Sequence, residues 1–220
     1  MKPIIFNTPM VRAILDGRKT MTRRIIKPQP TIDDENMWHW KDCQWMDGGL
    51  GMPESAVRDY APYKHGDILW VRETWLQDNG HYYYRTDLGD YINKCEIGFP
   101  EICADLSHCK DCTAEDMRIK WRPSIHMPRE AARLFLRVTD VGAERAQEIK
   151  AEDIQKEGLT SMAVHCKDYE IAVKEWQILW DNLYSKHGFG WAANPWVWVF
   201  EFERISKKEA EGCQGKQQTG

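Results

Sequence analysis

The chain has no run of about 18 apolar residues, the length a helix needs to cross a bilayer, so no membrane partner is expected. Its first apolar stretch, Pro3-Ile4-Ile5-Phe6, is too short for the hydrophobic core of a secretion signal. It lacks an excess of positive charge: 30 Lys and Arg stand against 34 Asp and Glu, a net charge of −4. Any nucleic-acid contact must therefore come from a local basic patch and not from the field of the whole molecule. It also lacks an even cysteine count. Seven cysteines and no sign of export point to a reducing cytoplasm, with thiols free or metal-bound. No internal repeat is present, and no linker divides two cores. With 42% hydrophobic residues in 220, the expectation is one domain over residues 1–205, carrying insertions at about 29–64 and 86–119. The polar stretch 206–220 reads as a disordered tail.

What is there is concentrated in Ile14–Arg24. Thr8 is a helix cap and Pro9 fits the first helical position, where its missing N–H costs nothing. Met10 and Ile14, with Val11 and Ala13, give an apolar face at helical spacing. Gly17 stops the helix, since a left-handed residue without Cβ carries no steric penalty. Thr20 to Ile26 then reads as a strand, ended by Lys27-Pro28. Alternation places Thr20, Thr22 and Arg24 on one face, with Lys19 at the mouth of the turn. A lysine, threonine hydroxyls and arginines on a rigid element make an anion or nucleotide site. The competing reading is a basic turn whose charges are only solvated.

Further along, Gly66-Asp67 launches a strand over Ile68–Thr74, and Asp78-Asn79-Gly80 is a hairpin turn from which Tyr82–Arg85 returns. Glu73 reads first as a structural ion pair beside Arg72, and second as an orienting partner of Lys19. From 29 to 64 the periodicity is lost. Trp38, Trp40 and Trp45 read as pinning a long ordered loop, with a small hairpin in it, in preference to forming a lid. The eleven tryptophans are mostly core or pocket walls, with base stacking as the rarer use. Trp121–Pro128 reads as extended and presents Ser124 and His126. These two are too close in sequence to form a hydrolase triad, and a core histidine bonded to backbone is the competing role of His126. Alternation over 134–139 predicts a strand. Glu144–Gly158 reads as helical, opened by Ala151-Glu152-Asp153 and closed by Gly158. Tyr169–Tyr184 is the longest helix, with Gly188 as its stop, and Trp196–Ile205 the last strand. Cys95, Cys103, Cys109 and Cys112 lie within eighteen residues, with a Cys-x-x-Cys knuckle at the end. They read either as a structural zinc site stapling an insertion too polar to fold alone, or as free cysteines. No other cofactor is required.

The pattern Gly-Arg-Lys-Thr-x-Thr-x-Arg over Gly17–Arg24 resembles the signature of the ASCH domain family, whose fold is similar to the PUA domain of RNA-modifying proteins. Gly66-Asp67-Ile68-Leu69-Trp70-Val71 is similar to the family's Gly-Asp-x-Leu-x-Val strand. Lys120–Arg129, Val138–Val141 and Asn194–Phe202 resemble the larger members carried by phages and prophages. The succession spans roughly residues 3–205. The resemblance implies an α+β fold, a small mixed β-barrel with helices packed around it. It also implies RNA or a modified nucleoside or nucleotide as ligand. Gly17, Arg18, Thr20, Arg23 and Arg24, with Glu73 and His126, are the residues expected near that ligand. Some bacterial members are amidohydrolases that remove the acetyl group of N4-acetylcytidine. By resemblance their lysine falls on Lys19, their threonine on Thr22 and their glutamate on Glu157. Binding through the basic turn is the preferred expectation and the amidohydrolase the second. A phage accessory protein acting through protein contacts is the third.

Overall fold

The computed structural model describes residues 1–39, 52–78, 80–88, 121–159 and 169–212. Cys95, Cys103, Cys109 and Cys112, and with them the zinc expectation, lie outside the described residues, as do Trp40 and Trp45. Among the described residues no group of His, Cys, Asp and Glu is placed to hold a metal ion, and no helix is long and apolar enough to cross a membrane.

In chain order the strands and helices are β1 (Lys2–Ile5), α1 (Thr8–Leu15), β2 (Met21–Ile25), β3 (Thr31–Ile32), β4 (Trp38–His39), α2 (Glu54–Val57), β5 (Ile68–Arg72), β6 (Trp75–Asp78), β7 (His81–Tyr84), α3 (Arg85–Leu88), β8 (Phe135–Arg145), α4 (Ala151–Lys156), α5 (Tyr169–Tyr184), β9 (Trp196–Ile205) and α6 (Lys207–Gly212). This is a mixed α+β chain. Its larger sheet has the order β1-β5-β8-β9-β2, and β3-β4 and β6-β7 are separate hairpins. Among the described residues that order has β1 and β2 at its two ends.

Contacts group the chain into two compact units, one of Met1–Lys2, Ala13–Leu69 and Leu134–Gly220, the other of Pro3–Arg12 and Trp70–Arg133. Three of the boundaries fall inside β1, α1 and β5. No linker composition marks them, which is why the sequence reads as one domain.

In the first unit, β2 pairs antiparallel with β9, setting Met21 opposite Glu201, Thr22 opposite Phe200 and Arg23 opposite Val199. β9 pairs antiparallel with β8, with a bulge between Val138 and Asp140. The longest helix, α5, buries Ala172, Trp176 and Trp180 at intervals of four. They pack with Met21, Ile149, Ile154, Val197 and Val199, the apolar side of β2, β9 and α4. Trp38 is buried and lies 4.3 Å from the Trp196 ring, so it pins its segment as expected.

Two expectations about the first unit change. Glu144 and Arg145 belong to β8, not to a helix: Ala143 and Glu144 are still in register with Trp198 and Val197. A 3-10 turn follows at Ala146–Glu148, and the α-helix opens at Ala151, as its sequence predicts. Likewise Lys207–Gly212, expected in a disordered tail, is a helix capped reciprocally by its own residues. The Ser206 N–H donates to Glu209 Oε2 at 2.8 Å, and the Glu209 N–H donates to Ser206 Oγ at 3.2 Å.

In the second unit the β6–β7 hairpin turns through Gly80 at φ 80°, as its sequence predicts. Ser124–His126, expected extended, forms a single 3-10 turn between Pro123 and Met127. His126 is exposed there and so is not a core histidine.

Candidate active site

The site is made where the turn after α1 meets the end of α4. Gly17 takes φ 74°, and the N–H groups of Arg18 and Lys19 both donate to the Ala13 carbonyl at 2.9 and 3.0 Å. The segment Lys156-Glu157-Gly158 is docked onto this turn at two points. The Thr20 N–H donates to the Lys156 carbonyl at 2.8 Å, and Arg18 Nη1 donates to the Gly158 carbonyl at 2.7 Å. Gly158 sits at φ 94°, where a Cβ would stand 2.8 Å from the Ala13 Cβ and 3.0 Å from the Lys19 Cβ. Only glycine permits so close an approach.

This docking places Glu157 against Lys19, 138 positions away in sequence. Lys19 Nζ donates to Glu157 Oε2 at 2.6 Å, to the Glu157 carbonyl at 2.9 Å and to the Met21 carbonyl at 2.8 Å. The two side chains are 0% and 2% exposed. Burial strips the ammonium of water and pushes the Lys19 proton affinity below the ordinary lysine value. Glu157 opposes that shift, while Arg24 and Arg23 add to it.

Arg23 extends the network. Its Nε donates to Glu144 Oε1 at 2.7 Å, its Nη2 to Asp153 Oδ2 at 3.0 Å, and its Nη1 to Glu157 Oε1 at 3.3 Å. Burial works against the guanidinium, but Glu157, Glu144 and Asp153 outweigh it and hold its proton more tightly than usual. Glu144 is pushed up, chiefly by burial and then by its like-charged neighbours Asp153 and Glu148, against the pull of Arg23. Glu144 and Asp153 line a cleft of about 400 Å³, together with Met21, Val199, Lys156 and Glu201.

Of the residues singled out in the sequence, Lys19 and Glu157 are brought together, and Lys19 is buried, not at the mouth of the turn. Thr22 is buried on β2. Strand alternation sets it on the face opposite Met21 and Arg23, whose side chains touch at 3.2 Å. Arg23, expected at a ligand, has no exposed side-chain surface and is taken up by three carboxylates. Gly17 and Thr20 are exposed, and Arg18 and Arg24 are half-buried. Glu73 is buried in the second unit and pairs not with Arg72 but with Arg133, which donates to both its oxygens at 2.9 and 3.0 Å. The carboxylate on Lys19 is Glu157. Glu144, Asp153 and Arg133 were not anticipated, because each lies 60 or more positions from the charge it meets. Gly158 was read as a helix stop only, although a glycine just after the proposed glutamate was a usable signal.

Compared with known proteins, the chain matches no protein-family model, no curated protein and no solved structure.

Proposed function

We propose that the chain is a PUA-like protein of the ASCH type, its sheet part of a small mixed β-barrel, and that its buried lysine–glutamate pair is an amidohydrolase centre for acylated nucleosides of the N4-acetylcytidine kind. The observation that carries this reading is the 2.6 Å contact of Lys19 with Glu157, two side chains that are 0% and 2% exposed. In such a site the ion pair is costly, and passing one proton from Nζ to Oε2 leaves a neutral amine and a carboxylic acid. That form holds both groups that amide hydrolysis needs. The amine takes a proton from an attacking water as the oxygen adds to the acyl carbon. The acid gives its proton to the leaving amine nitrogen, and the pair returns to its starting charges. Thr22 is the hydroxyl of the set. It is buried on the face of β2 opposite Met21 and Arg23, away from the cleft that Met21 lines, so the proton transfers run through Lys19 and Glu157 alone.

The same geometry weakens the preferred expectation of a phosphate-contacting turn. Lys19 and Arg23 have no exposed side-chain surface and are already matched by carboxylates. The cleft beside them carries three cations against five carboxylates, a poor surface for a polyphosphate and an acceptable one for an uncharged nucleoside. Its volume of about 400 Å³ falls in the range of small-molecule sites.

The test is hydrolysis of N4-acetylcytidine. The wild-type protein is expected to turn it over, and Lys19→Ala to lower turnover by about 100-fold or more. No turnover in the wild type, with salt-dependent binding of single-stranded RNA, would move the assignment to nucleic-acid binding.

A further inference from the structure

We propose that Arg23 is a positioning residue for the Lys19–Glu157 pair, and that Glu144 and Asp153 couple this pair to the charge present in the cleft they line. The proposal rests on the hydrolase reading for its purpose, but not for its test. Arg23 occupies a position that the Gly-Arg-Lys-Thr-x-Thr-x-Arg pattern leaves open, so the pattern itself assigns it nothing.

The argument begins with the two oxygens of Glu157. Oε2 faces Lys19 at 2.6 Å and Oε1 faces Arg23 at 3.3 Å, so one carboxylate is divided between two cations. Arg23 is divided in turn. Its contacts with Glu144 and Asp153, at 2.7 and 3.0 Å, are shorter than its contact with Glu157. The guanidinium therefore leans toward the cleft, and any loss of negative charge there returns its pull to Glu157. Exposure falls along the same path, from 25% at Glu144 and 16% at Asp153 to 0% at Arg23 and 2% at Glu157. A rigid planar fork with several donors suits this task, because one guanidinium meets three carboxylates at once.

Among the described residues Arg58, Asp140, Lys150 and Glu152 line the same cleft. Lys156 stands 4.0 Å from Asp153 and 3.2 Å from Glu201. Glu148 acts on Glu144, and Arg24 acts on Lys19. Arg23 opposes protonation of Lys19 by like charge, and Glu144 and Asp153 screen that opposition. The coupling therefore has a sign. Removing Arg23 relieves Lys19 and raises its titration midpoint, whereas removing Glu144 unscreens Arg23 and lowers it.

The experiment is a pH titration of the Lys19 side chain by NMR in protein carrying 13C-labelled lysine, with the resonance assigned through Lys19→Arg. In Arg23→Gln the midpoint is expected to rise by about one pH unit. In Glu144→Gln it is expected to fall by a smaller amount. Arg23→Lys, which keeps the charge without the fork, is expected to return the midpoint toward that of the wild type. Midpoints that stay put, or move the same way in Arg23→Gln and Glu144→Gln, overturn the proposal and leave Arg23 a structural tie. If Arg23→Gln does not fold, Glu144→Gln decides alone, and an unmoved midpoint there is refutation. Failure to hydrolyse N4-acetylcytidine, with the opposite shifts present, would remove the hydrolase reading and leave the coupling in place.

Discussion

Among the described residues each unit holds one carboxylate that is almost completely buried, Glu157 in the first and Glu73 in the second. Both are satisfied, and by similar means. Glu73 receives Arg133 on both oxygens and a hydrogen bond from Thr86 Oγ1 at 3.0 Å. Arg133 continues to Asp87 at 2.6 Å and stacks over the Tyr84 ring at 3.8 Å. Glu157 receives Lys19 and Arg23. The difference lies in the cation at the shortest contact. Burial works against Arg133, but Glu73 and Asp87 raise its proton affinity far above even the ordinary arginine value, so this pair has a single charge state. Lys19 is pushed the other way, chiefly by burial, so its proton is held less tightly than an ordinary lysine's. Equal burial thus leaves the proton held more tightly than usual on one cation and less tightly on the other, because the residue types differ.

The largest expected effect tests the tie. Arg133→Ala leaves Glu73 buried with no cation among the described residues, and should cost about 3–5 kcal/mol in urea unfolding. Lys19→Met keeps the volume, and Glu157 retains Arg23, so its cost should stay below about 2 kcal/mol while activity is lost. Equal losses would mean that both clusters are structural and would break the comparison.

Glycines sharpen it next. Gly158→Ala meets both a left-handed backbone at φ 94° and atoms at 2.8 and 3.0 Å, and should cost about 2–3 kcal/mol. It should also disturb Lys19, against which the new methyl would press. Gly80→Ala, at φ 80° with nothing within 4 Å, should cost only about 1 kcal/mol, the backbone strain alone. Thermal unfolding of the two variants side by side measures the difference.

These two regions also show what the sequence made legible. The helix, turn and strand over Thr8–Ile25 could be read because their signals are local, a proline, a glycine and alternation, although the cap is Asn7, whose Oδ1 accepts from the Met10 N–H at 3.0 Å, and not Thr8, which is already helical. The hairpin at Gly80 and the helix Tyr169–Tyr184 were local in the same way. Lys19 and Glu157 were reached through a resemblance, and no pattern within the chain links positions 138 residues apart. The partners Glu144, Asp153 and Arg133 stayed hidden because a surface charge and a buried one look alike in sequence. Strand β8 ran on past the predicted stop because pairing with β9 overrode the weak propensity of Gly142–Arg145.

A smaller effect concerns pH. Lys19 holds its proton less tightly folded than unfolded, so between its lowered folded value and 10.5 the unfolded chain binds more protons. Stability contributed by this residue therefore rises with pH across that window, by at most about 1.4 kcal/mol per pH unit. The wild type should gain on Lys19→Met as the pH approaches 10.5 from below, read from urea midpoints at matched pH. Turnover should fall over the same window, because loss of the shared proton leaves Glu157 with none to give the leaving nitrogen. Arg133 stays charged throughout this window, so Arg133→Ala, which keeps Lys19, should retain the wild-type dependence.

The smallest effect is at the rim of the tie. Asp87 is 45% exposed, and its bond to Arg133 is largely screened by water, so Asp87→Asn should change stability by less than about 1 kcal/mol. Its counterparts in the first unit, Glu144 and Asp153, are better buried and share an arginine with a titrating pair. Asp87→Asn should leave the pH profile of turnover in place, whereas Glu144→Gln should move it toward lower pH. A displaced profile in Asp87→Asn would mean that charge anywhere on the chain shifts the pair, and the local relay through Arg23 would no longer be needed to explain it.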